Sequence, residues 1–268
     1  MRKKRGERHG TRNRHTARCV LLLGCMVGLL SLFPGQRWLM ERSWMVDEGV
    51  GTDVIVVDPG HGGFDGGAVS KDGTCEKDIN LNIALKLAER LEAAGWQVIM
   101  TRTEDRALDQ GDEERKRIRT RKTEDLRARK ALIDTTQPSL AVSIHLNSFQ
   151  EDPSVRGAQT FYPSKAESEQ IIDDSRRLAE AIQKELIQGM DDGTKREALA
   201  KKDVLLLKDP KVPTVLVECG FLSNPIDAEM LRNEAHQEEL SEFIYNGIEA
   251  VFGKKTDENL FVVDSCSP

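Results

Sequence analysis

From Thr52 onward, short apolar runs alternate with long amphipathic stretches, a pattern that restricts the chain to a layered α/β body. The first run, Val54-Ile55-Val56-Val57, is continuously β-branched, as a strand buried on both faces requires. Between Glu76 and Ala94 the apolar positions Ile79, Ile83, Leu87 and Leu91 recur every four residues and stop at Gly95, which predicts a helix. Trp96 to Met100 reads as a second strand and Leu126 to Ile133 as part of another helix. The charge-dense region between them, Asp105 to Asp125, reads as a surface loop. Leu140 to Ile144 is a third strand running into His145, and Ala158 to Tyr162 is an edge-like fourth. Ile171 to Gly189 is a helix, Leu205 to Leu207 and Thr214 to Cys219 are late strands, and Asp227 to Phe252 is a closing helix. No internal repeat is evident.

Apolar residues make up 38% of the 268 residues and charged residues 31%, which excludes a polytopic membrane protein. The net charge of -6 hides an asymmetry: residues 1–18 carry +7 and residues 19–268 carry -13. An acidic body excludes nucleic acid as a partner, because phosphate binding rests on clustered Lys and Arg. The basic run precedes fifteen uncharged residues, Cys19 to Phe33, and then Pro34, Gly35 and Arg37, the layout of an export signal. No small-x-small cleavage pattern follows, and Trp38 and Trp44 suit a membrane interface, so the segment reads as an uncleaved anchor; a cleaved signal peptide is the alternative. Leu22-Leu23-Gly24-Cys25 loosely resembles a lipoprotein box, but the apolar run continues past it. The expected division is a cytoplasmic n-region at 1–18, an anchor at 19–33, a linker at 34–51, the α/β domain at 52–252 and a polar tail at 253–268. Positive charge stays inside, so the body is delivered to the far side of the membrane. Cys75, Cys219 and Cys266 are too few for a disulfide framework, and Cys219 reads as a small buried hydrophobe.

The polar residues at the strand ends carry the chemistry. The first strand ends at Asp58 and His61, the third at His145 and the late one at Glu218. Parallel strands would deliver all of these to one crevice, where open α/β sheets bind ligands. The loop Asp58-Pro59-Gly60-His61-Gly62-Gly63-Phe64-Asp65-Gly66-Gly67 fails the dinucleotide fingerprint and lacks Gly-Lys-Ser/Thr, so it cradles no phosphate by either known pattern. Its glycines leave His61 open to solvent and metal. Glu76, at the start of a helix, completes with His61 and His145 a two-His, one-carboxylate set suited to zinc, although such a set also holds other divalent ions. No His-Glu-x-x-His is present. Glu218 follows four apolar residues, where a carboxylate is costly unless paired or functional; beside an activated water it is placed as a general base. The plain alternative is a core glutamate paired with an arginine such as Arg102.

These blocks, VDPGHGGFDGGA with His61, EKDINLNIALKLAERL with Glu76, VIMTR with Arg102, SIHLNS with His145 and VLVECGFLSNPIDAEML with Glu218, resemble the zinc-dependent N-acetylmuramoyl-L-alanine amidases over about Asp53 to Phe252. The resemblance implies a single three-layer α/β catalytic domain with a twisted, mainly parallel six-stranded sheet. It implies zinc on His61, Glu76 and His145, with Glu218 catalytic; Asp58, Arg102 and Asn147 are carried as candidates for substrate contact or support. Within the family the chain is similar to the germination-specific spore-cortex amidases of endospore formers, through its small size, its MRKK start with an apolar segment, and RKTEDLRAR leading into SIHLNS. That similarity implies peptidoglycan as substrate and hydrolysis of the bond between the lactyl group of N-acetylmuramic acid and L-alanine. It also implies a step toward muramic-δ-lactam, a place on the wall side of a membrane, in the intermembrane space of the forespore, and room for an accessory protein. The rival readings are vegetative wall turnover, another zinc peptidase or deacetylase, and a non-catalytic wall-binding protein.

Overall fold

Four strands form the parallel block that positions the site. The computed structural model describes residues 53–108 and 117–253; the expected n-region, anchor and linker, and the polar tail beyond Gly253, lie outside the described residues, as do Cys19, Cys25 and Cys266. The elements are β1 (Val54–Pro59), α1 (Glu76–Ala93), β2 (Gln97–Met100), α2 (Ile118–Thr136), β3 (Leu140–Asn147), β4 (Gln159–Pro163), α3 (Glu169–Met190), β5 (Leu199–Lys201), β6 (Thr214–Phe221), α4 (Pro225–Arg232) and α5 (Glu234–Phe252). The sheet order is β2-β1-β3-β6-β4-β5. The first four strands run parallel, β4 is antiparallel to β6, and β5 is parallel to β4.

The alternation of side chains across the pleat divides the core. Ile55, Val57, Val142, Ile144, Val215 and Val217 face one side, under α1, α3 and α5; Val56 and Ala141 face the other, against Ile133 of α2 and the segment around Leu206. Ile83, Leu87 and Leu91 are fully buried on α1, which accounts for the spacing of four seen in the sequence. Burial of each such side chain contributes about 1.5–3 kcal/mol, and truncation of Leu87 to alanine costs about 2–5 kcal/mol.

The structure corrects four of the expected elements. Leu205–Leu207 is a single 3₁₀ turn rather than a strand, because its leucines cap the lower face of the sheet and make no ladder. The strand at 159–163 is internal: β5, three residues long and unseen in the sequence, takes the edge. Helix α2 begins at Ile118, inside the region read as a loop, and two of its charges, Asp125 and Arg129, are buried in ion pairs rather than solvated. The closing helix is two, divided at Asn233, whose side chain caps α5 by accepting from the backbone of Ala235, while Asn224 caps α4. Among the described residues no helix is long and apolar enough to cross a membrane.

Candidate active site

The carboxyl ends of β1, β3 and β6 and the start of α1 converge. Immediately past β1 the chain turns sharply: His61 takes a left-handed conformation (φ 62°), rare for a side-chain-bearing residue. Glu76 is the first residue of α1 and is 3% exposed. Its Oε1 stands 3.2 Å from His61 Nε2 and 3.1 Å from His145 Nδ1, and it also accepts from the backbone N–H of Leu146 at 3.0 Å. Its Oε2 accepts from the N–H of Ala68 at 2.8 Å. One ligand atom from each of the three residues lies within 4.8 Å of the others.

Glu218 is the direct neighbour of His145 across the β3–β6 ladder, so both side chains rise from the same face of the sheet. Its Oε2 is sealed from solvent and has no hydrogen-bond partner. A buried carboxylate oxygen without a partner is costly to fold, which marks it as kept for a ligand or a reaction. The pairing with Arg102 considered from the sequence does not occur.

Arg102 instead donates from Nε to Pro59 O at 3.0 Å and from a terminal nitrogen to Gly60 O at 2.9 Å and Lys77 O at 2.7 Å. Asp58 accepts from Arg129 at 2.7 Å, Thr101 at 2.6 Å and Ser143 at 2.6 Å. Both Asp58 and Arg102 are 1% exposed, and their hydrogen bonds hold the backbone and neighbours of the His61 loop. Asn147 is spent locally: its side-chain oxygen accepts from Ser148 N and its carbonyl from Leu222 N, each at 2.8 Å. The residues missed in the sequence are Arg129, which also donates to the carbonyls of Pro59 and His61, and Asp65, which binds His61 Nδ1 at 2.9 Å. The spacing of Asp125 and Arg129, four apart on a helix, was the available signal for the first.

A family model described as N-acetylmuramoyl-L-alanine amidase matches residues 55–250. The chain belongs to that family. The germination-specific N-acetylmuramoyl-L-alanine amidase of Bacillus subtilis (strain 168) is 40% identical over 207 residues, 76% of this amidase and 81% of that protein. The solved structure of the CwlD amidase from Clostridioides difficile, in complex with the GerS lipoprotein, superposes with TM-score 0.69 at 44% identity, covering 74% of this chain and 97% of that one. An N-acetylmuramoyl-L-alanine amidase from Clostridium difficile 630 superposes with TM-score 0.63 at 30% identity, covering 76% and 98%. The amidase activity of this chain follows from that membership.

The donor set of the amidase fits the zinc that the family implies. Bonds of about 2.0–2.1 Å to a tetrahedral ion put neighbouring ligand atoms roughly 3.4 Å apart, close to the separations between Glu76 and the two imidazoles. The electrostatics agree. Burial alone would raise the Glu76 carboxyl, but His145 and His61 hold it well below the usual carboxylate range. Burial lowers His61, yet Asp65 and Glu76 outweigh it and carry the imidazole up to about 9. Glu218 shifts the other way: burial pushes its carboxyl above its ordinary value, against the pull of His145 and with a contribution from Glu76. Cys219, next to it, is fully buried, and burial raises its thiol far out of the reactive range.

Proposed function

We propose that this amidase is a zinc enzyme that hydrolyses the bond between the lactyl group of N-acetylmuramic acid and L-alanine during maturation of the spore cortex. The observation that carries the reading is the buried, unpartnered Oε2 of Glu218, a residue register-paired with His145 beside the His61, Glu76 and His145 cluster. His61 through Nε2, His145 through Nδ1 and Glu76 through Oε1 would hold the ion. Zinc in such a site polarises the scissile carbonyl and brings a water to a pKa of about 7. Glu218 takes the proton from the attacking water and delivers it to the departing alanine nitrogen. Its raised proton affinity suits both halves of that task near neutral pH. The fully bonded Glu76 carboxylate has no such freedom and stays a ligand.

The cortex assignment rests on the similarity to the germination-specific enzyme of Bacillus subtilis. In that setting a muramic acid stripped of its peptide becomes a substrate for deacetylation and lactam closure. An accessory protein fits the same reading, since the Clostridioides difficile relative is seen with a lipoprotein. The basic and apolar N-terminal segment is the proposed membrane contact, holding the acidic domain on the wall side, in the forespore intermembrane space.

The test is digestion of purified peptidoglycan, with and without zinc and beside Glu218→Gln, followed by mass spectrometry. The expected outcome is zinc-dependent release of intact stem peptides with a free L-alanine amino terminus, absent in the variant. Fragments with another new terminus would identify a peptidase, and loss of acetyl groups alone a deacetylase.

A further inference from the structure

The segment RKTEDLRAR, distinctive in the sequence, has no part in the reaction, yet the fold turns one stripe of it onto the His61 loop. Lys122, Asp125 and Arg129 stand three and four residues apart on α2 and therefore share a face. Arg129 binds Asp58 and the carbonyls of Pro59 and His61. Asp125 holds Arg129 Nε at 2.7 Å and the N–H of Leu108 at 2.6 Å. Lys122 reaches Asp65 Oδ1 at 2.6 Å, and Asp65 Oδ2 meets His61 Nδ1 at 2.9 Å. Asp65 Oδ1 also accepts from the N–H of Gly67 at 3.2 Å.

The consequence is a choice of ring nitrogen. An ionised carboxylate can only accept, so Asp65 keeps the proton on His61 Nδ1, and Nε2, the atom facing Glu76, is the nitrogen that gives up its proton and donates its electron pair when zinc binds. An imidazole fixed in this way by a carboxylate is a stronger and better oriented metal ligand. The exposed half of the Lys122–Asp65 pair contributes little stability in water, but it fixes which way the carboxylate points. We propose that Asp65 is a positioning residue for His61, and that Lys122 of α2 is the group that orients it. This rests on the zinc reading above.

The experiment uses the full chain, freed of metal, with zinc affinity measured by competition against a chromophoric chelator. Nitrogen-15 signals of the His61 ring in the zinc-loaded chain report which nitrogen keeps the proton, and circular dichroism reports folding. Asp65→Ala is expected to weaken zinc binding 10- to 100-fold and to mix the two ring tautomers. Asp65→Asn, whose amide oxygen still accepts from Nδ1–H, should fall between it and the parent, and Lys122→Met should weaken binding several-fold. A folded Asp65→Ala with parental affinity and a single unchanged tautomer overturns the proposal. If that variant does not fold, parental affinity and tautomer in both Asp65→Asn and Lys122→Met overturn it equally. A parent chain that binds no zinc overturns the metal reading instead, a result distinct from either.

Discussion

The imidazole of His145 lies against the α-carbon of Gly60: a Cβ built there would stand 2.3 Å from His145 Cε1 and 2.4 Å from its Nε2. The backbone is held in place, because Gly60 O accepts from Arg102 and Gly60 N donates to Ile144 O. Gly60→Ala must therefore displace the His145 ring. Shifts of about 1 Å in such a group cost on the order of 10²-fold in rate. The expectation is a hundredfold or greater loss of peptidoglycan hydrolysis with an unchanged circular dichroism spectrum, measured together on the purified variant.

Glu218→Gln should separate stability from activity. A carboxyl whose proton affinity is raised on folding contributes stability that is full below its unfolded value and lost as pH rises through the folded one. At neutral pH the metal-free parent thus carries a penalty that the neutral amide lacks. The variant should lose general base catalysis, about 10²–10⁴-fold in rate. It should also melt a few degrees higher than the metal-free parent at pH 7, and the difference should close near pH 4. Melting curves at the two pH values, beside a rate assay, check both statements.

Arg129 carries the opposite sign. Burial pushes Asp58 up, but Arg129, Ser143 and Thr101 hold it below its usual range, so its contribution to stability is present above about pH 4 and is lost as pH falls through the folded value. Arg129→Met strands a buried carboxylate at a cost of about 3–5 kcal/mol at pH 7. Urea denaturation should show this gap at neutral pH and a smaller one at pH 3, where the stranded carboxyl takes up a proton.

Removal of metal should abolish hydrolysis, and zinc should restore it. Because a ligand that binds only the folded state stabilises it, zinc at a hundredfold excess over its dissociation constant should add about 2.7 kcal/mol. Thermal unfolding across a zinc titration, repeated with Glu76→Gln, checks this; the variant should respond far less.

Strands β1, β3 and β6 and helix α1 were legible because their burial is local in origin: Ile55 to Val57 is covered on both faces, and Ile79 to Leu91 shows the helical period directly. The cluster of His61, Glu76 and His145 was legible because each member marks the end or start of such an element. What escaped was long-range polar pairing. Nothing in a periodicity reveals that Arg129 serves the carbonyl of His61, 68 residues away, or that Arg102 turns to Pro59 and Gly60 rather than to Glu218. Leu205 to Leu207 misled for the converse reason, since three leucines satisfy an apolar surface equally as a turn or a strand.

Strand β6 is the last to be synthesised and yet lies between β3 and β4 in the sheet. Until it inserts, β2-β1-β3 and β4-β5 are separate pieces with open edges, and Glu218 is not yet beside His145. A chain that ends before β6 therefore lacks both the link between the two pieces and Glu218, however much of the His61, Glu76 and His145 cluster has formed. The side chain on which the proposed proton transfer rests thus arrives on the same strand that joins the two halves of the sheet, so a chain able to hydrolyse a wall polymer is expected only once that sheet is whole.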